Sequence, residues 1–186
     1  MGSRVQMKRV AGLLRAINVG GRKLLMADLK RIAGEAGFDA PATLLASGNL
    51  LFGTRLSSEA AGKTLEAAIQ KDLGLAADVM VRDLAELKAV IAANPFPRQA
   101  KEEPNRLMAM FLSGEPQGEL SLLDSACVAG EEVKSGPGCL YVWFPGGAGT
   151  SKLANGLIER RLKVRGTARN WNTVGKLAAL LEAAEA

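Results

Sequence analysis

The stretch "ATLLASGNLLFG", residues 42–53, constrains the fold more than any other part of the chain. Two apolar runs meet at Ser47, Gly48 and Asn49, a connection short enough only for an antiparallel hairpin. Parallel neighbours would need a crossover of about a dozen residues or more. The chain is therefore expected to carry antiparallel sheet, and a continuous doubly wound parallel sheet is excluded.

The flanking segments extend that expectation. "KRVAGLLRA" (8–16) is short and partly alternating, the pattern of a strand. "MADLKRIAGEAGF" puts Leu29, Ile32 and Ala33 on one helical face together with Leu25, and Gly37 is placed to end that helix. "SSEAAGKTLEAAIQKDLG" predicts a helix capped by Ser57 or Ser58 and closed by Gly74. "ADVMVRD" predicts a strand, and "LAELKAVIAAN" a helix stopped by Pro95. The order is βαββαβ, a ferredoxin-like unit, with one helix appended.

Prolines at 95, 97 and 104 make "NPFPRQAKEEPN" the expected linker. Beyond it "RLMAMFLSG" predicts a strand, "PQGELSLLDSA" a short helix, and "EEVKSGPGCLYVWFPGG" a hairpin turning at residues 135–138. "TSKLANGLIERRL" and "NWNTVGKLAALLEAAEA" predict two further helices. The expected fold class is α+β, divided as a ferredoxin-like subdomain (1–94), a linker (95–104) and a second, smaller α+β subdomain with an antiparallel hairpin (105–186).

Composition removes several chemistries. The chain has no histidine, which excludes Ser-His-Asp and Cys-His arrangements and imidazole ligands. Cys127 and Cys139 have no CxxC partner, so no metal and no cofactor is expected, and two sparse cysteines fit a reducing compartment. No run approaches the roughly 18 apolar residues of a membrane span, and Arg15 interrupts the only early apolar run. A cytoplasmic protein with no membrane partner is expected, with Met7 as the functional start after a dispensable leader.

Charge is segregated. Of the net +5, residues 1–31 hold eight Lys/Arg against Asp28 alone, and residues 150–176 hold seven against Glu159 alone. Two basic ends that meet would attract anions; two that do not are solvated faces.

Three segments offer groups for such an anion. "FPGGAGTSKL" places Gly146, Gly147 and Gly149 ahead of Ser151 and Lys152 on an expected first helical turn, where backbone N–H groups can meet an anion. It lacks the Gly-Lys-Ser/Thr order of a Walker loop, and a plain N-cap accounts for it equally. "TARNWNT" supplies Arg169, able to fork onto a phosphate, with Asn170 beside it, although Thr167, Asn170 or Asn172 also suits a helix N-cap. "LLRAINVGGRK" sets Arg15 at a strand end, then Asn18 and a Gly-Gly loop. In "CLYVWF", Tyr141 and Trp143 share one face, which serves either the core or a homodimer interface.

Taken together, "LLRAINVGG", "SGNLLF", "FPGGAGTSKL" and "TARNWNTVGKL" resemble the bacterial domain-of-unknown-function family 1697, over nearly the whole chain from about Met7. Ala16 stands where that resemblance leads one to expect glycine. The resemblance implies a ferredoxin-like first half and a second α+β half, and it implies no activity. The expected function is binding of a phosphate-bearing ligand or nucleic-acid backbone through Arg15, Asn18, Ser151, Lys152, Arg169 and Asn170. Two alternatives stand beside it: a small-substrate enzyme using the same charges, with its catalytic residues unknown, and a dimerising interaction protein.

Overall fold

A computed structural model describes residues 6–15, 24–45 and 48–185. Asn18 and Ser47 lie outside the described residues. The chain divides into two compact units, Met1–Leu84 with Leu180–Ala186, and Ala85–Ala179.

In the first unit, β1 (Lys8–Arg15), α1 (Met26–Glu35), β2 (Asp39–Leu44), β3 (Asn49–Thr54), α2 (Ser58–Leu73) and β4 (Asp78–Asp83) follow one another in the ferredoxin-like order. The sheet runs β2-β3-β1-β4 and every pairing is antiparallel, as the short turn required. Leu44 faces Asn49 across that turn, and Asn49 Nδ2 donates to the Leu44 carbonyl at 3.0 Å. Side chains alternate along each strand, so Val10, Leu14, Leu50, Phe52, Val79 and Val81 share one face. Leu29, Ile32 and Ala33 of α1 and Leu65 and Ile69 of α2 cover it.

Two local devices fix α2. Ser57 accepts a hydrogen bond from the Ala60 amide at 3.2 Å, and Gly74 ends the helix in the left-handed region at φ 65°. Gly62 has to be glycine because a Cβ there would stand 2.8 Å from the Val79 carbonyl oxygen. That close approach seats the helix on β4.

The second unit opens with α3 (Leu84–Ala92), whose first residue closes the preceding unit. Residues 95–104, expected as linker, hold a short helix, α4 (Pro97–Glu102), with Pro at the position where a missing N–H costs nothing. Then come β5 (Leu107–Leu112), a 3-10 helix (Leu120–Ala126), β6 (Glu132–Gly136), β7 (Cys139–Trp143), α5 (Asn155–Leu162), β8 (Gly166–Asn170) and α6 (Trp171–Glu185). Their sheet is again antiparallel, in the order β6-β7-β5-β8.

Two sequence-based expectations change here. Residues 166–170, expected as the approach to a helix, form the edge strand β8, so the second half has four strands and repeats the topology of the first. The helix expected from Thr150 begins only at Asn155. Ser151 is the cause: its hydroxyl accepts the Leu153 amide at 3.0 Å, the chain bends at Lys152, whose carbonyl accepts the Ala154 amide, and helical backbone starts only after Ala154.

Both faces of this second sheet are filled. Met110, Leu140 and Val142 pack with Leu123, Ile158 and Leu162 on one side. On the other, Tyr141 is fully buried and donates to the Val90 carbonyl of α3 at 2.6 Å. Trp143 is also buried.

Candidate functional site

The glycine-rich loop after β7 is built from short backbone turns. The Gly147 amide donates to the Phe144 carbonyl, and Gly147 takes φ 89°, a conformation suited to glycine. Thr150 donates its hydroxyl back to the Gly146 carbonyl at 3.2 Å. Ser151 donates to Glu131 Oε1 at 2.5 Å, while Glu131 Oε2 accepts the Ala129 amide at 2.8 Å. Those two donors hold the Glu131 carboxyl below the usual glutamate range, with the serine as the larger cause. A carboxylate of the protein thus occupies the serine hydroxyl. Lys152, the next residue, is exposed.

Arg169 and Asn170 sit together at the end of β8. Arg169 lies opposite Ala109 of the central strand and is only 6% exposed. Its Nη1 donates to Thr167 Oγ1 at 2.7 Å and to the Ala168 carbonyl at 2.9 Å, and burial pushes its pKa down to about 10. Asn170 is the cap of α6: its Oδ1 accepts the Thr173 amide at 2.9 Å and the Thr173 hydroxyl at 3.1 Å. Trp171, half-buried, has its ring 6.3 Å from that of Tyr141.

In the first unit Arg15 places Nη1 3.3 Å from Asp78 Oδ2 across the β1–β4 pair. Ser151 with Lys152, and Arg169 with Asn170, are therefore neighbouring pairs inside the second unit, and Arg15 belongs to the first.

Two features escaped the residue-by-residue reading. The first is Glu131, whose role depends on a partner twenty residues away in sequence. The second is the run "ERRLKVR" at 159–165, legible only as part of a charge total. Arg160, Lys163 and Arg165 of that run are exposed, and Glu159 instead accepts the Gly166 amide at 2.9 Å. Arg161 turns inward, donating to the Leu122 carbonyl and to Ser125 Oγ.

A cavity of about 400 Å³ lies between the 3-10 helix and β6, with Leu123 and Val133 in its lining and Asp124, Glu131 and Glu132 among its polar groups. Cys127 also lines it, and burial with two nearby carboxylates raises its pKa above the ordinary thiol value. A protonated thiol beside acids is a poor nucleophile. Among the described residues no three His, Cys, Asp or Glu side chains converge to hold a metal ion. No described helix is long and apolar enough to cross a membrane.

A family model described as "Protein of unknown function (DUF1697)" matches residues 7–141, and the chain belongs to that family. A solved structure, the conserved bacterial protein SP0830 from Streptococcus pneumoniae, is similar to it with a TM-score of 0.71 at 21% identity. That likeness covers 95% of this chain and 99% of the other and concerns the fold. No curated protein matches the chain.

Proposed function

We propose, from a family membership that prescribes no chemistry, that this protein binds a phosphate-bearing anion on a basic surface carried by residues 150–176. The observation behind this is the exposure of the charge. Lys152, Arg160, Lys163, Arg165 and Lys176 are all exposed, against Glu159 as the single acid of the segment. Surface charge rich in one sign repels itself and destabilises a compact chain, and a ligand of opposite sign offsets that cost. Of the residues named from sequence, Lys152 is the exposed contact. Ser151, Arg169 and Asn170 already bond to Glu131, Thr167 and Thr173, and Arg15 stands beside Asp78.

Fluorescence anisotropy with labelled polyphosphate and a labelled oligonucleotide tests the proposal. Binding should weaken steeply as salt rises from about 50 to about 200 mM, because neutralised phosphates release their counterions. No binding at low salt, or binding indifferent to salt, would remove it.

A further inference from the structure

We propose that the ligand is a nucleic-acid backbone and that it docks on the corner where α5 turns into β8, through Arg160, Lys163 and Arg165; this rests on the anion-binding proposal above. The corresponding corner of the first unit, where α2 turns toward β4, provides the contrast. There the exposed positions are Lys71, Asp72, Gly74 and Ala76, and Asp72 is paired with Arg31 at 2.6 Å. In the second unit the same places hold Arg160, Arg161, Lys163 and Arg165. Two helices with the same job thus end on corners of different charge.

Lys163 is the telling residue. It stands at the left-handed helix cap with φ 50° and ψ 46°, the place that Gly74 fills at φ 65° in the first unit. A side chain there is strained where glycine is not. Ala40 and Leu45 also take positive φ, so Lys163 stands out by joining that conformation to an exposed charge. Part of the charge suits the helix end, since cations are favoured at a C-terminus. Arg165, beyond the helix end, adds an exposed cation to the same corner.

Shape favours a polyanion over a small phosphate. Arg160 on the last turn of α5 and Lys163 and Arg165 just after it are all exposed, and the cavity of the same unit sets Asp124, Glu131 and Glu132 against Lys134, a balance that repels an anion. A membrane surface fits less well, because such surfaces are bound by cations together with apolar anchors. Residues 150–176 expose no large apolar side chain, and Leu122, whose carbonyl accepts from Arg161, adds a single one beside them.

The test uses the full chain and a labelled duplex of about 20 base pairs, comparing wild type with Arg160→Gln/Lys163→Gly/Arg165→Gln. Glycine suits the conformation at 163, so the variant should fold. Affinity at low salt should fall ten-fold or more. The slope of log affinity against log salt should shrink by about 0.9 for each phosphate that the variant no longer neutralises, up to about 2.7. Lys71→Gln, on the other corner, should change neither. Duplex binding by the wild type with an unchanged slope in the triple variant overturns this corner and leaves the anion proposal standing. Wild type that binds polyphosphate but not duplex, or that sediments only with phosphatidylserine vesicles, overturns the nucleic-acid assignment. Wild type that binds none of these ends both proposals.

Discussion

The two sheets share a strand order and differ in what lies over them. In the first unit α1 is ten residues long and buries Leu29, Ile32 and Ala33. Its counterpart in the second unit is a seven-residue 3-10 helix that buries Leu123 and Ala126, and the cavity lies beside it. Meanwhile the sheets agree in detail. Ala11 and Ala109 hold equivalent places on the central strands, facing Arg82 and Arg169. Each arginine donates Nη1 to the carbonyl before it, at 3.0 Å from Val81 and 2.9 Å from Ala168. Strand order and central pairing are thus held constant while the covering layer and the surface charge vary, which is where a difference in use would be written.

Substitutions at matched positions can break or sharpen that contrast. The largest effect is expected from the covering layers. Ile32→Ala should cost about 2–5 kcal/mol, because α1 packs tightly and leaves a void. Leu123→Ala should fall toward the low end of the same range, since the 3-10 helix beside a cavity can relax. Urea melts of the two variants decide it, and equal losses would mean the thinner layer is as well packed as the thicker.

Next come the paired arginines. Arg169→Ala removes the hydrogen bonds of a buried cation to Thr167 and Ala168, each worth about 1.5–3 kcal/mol, together with its packing. Arg82, half-buried, should lose less on the same change. A reversed ranking in denaturant would show that the equivalence of the two strands does not extend to their energetics.

The helix caps should respond in opposite directions. Gly74→Ala places a side chain at φ 65° and should cost about 1 kcal/mol; Lys163→Gly relieves the same conformation and should gain a similar amount, less the entropy glycine adds to the unfolded chain. Thermal melts that move the same way for both would contradict the strain assigned to Lys163.

The smallest effect concerns pH. Glu131 has a folded pKa below its unfolded value, so its contribution is complete above about pH 4.3 and fades as pH falls through the folded pKa. Glu131→Gln should therefore flatten the loss of stability between neutral and acid pH, read from urea melts at both. An unchanged pH profile would mean the Ser151 bond does not favour the charged form.

Most of the first unit was legible because its signals are redundant. Ser57 and Gly74 bracket α2, and the partly alternating β1 pairs with β3 beside the short turn. β8 was hidden because its inward residues on one face are Thr167 and Arg169, polar side chains satisfied by each other. Periodicity cannot separate such a strand from a polar loop. The start of α5 was hidden because Thr150 and Ser151 resemble helix caps yet spend their hydroxyls on Gly146 and Glu131. For the candidate site, sequence showed where cations are abundant. It did not show which ones the fold engages, since that depends on partners such as Asp78 and Thr167.

Strand β8 ends at Asn170 and α6 begins at Trp171. With no residue between them, the rotational phase of the helix is geared to the pleat of its strand. One inserted residue would advance the helix by about 100° around its axis, carrying Val174 and Leu177 out of their buried stripe. At this joint the chain can change its letters but not its count.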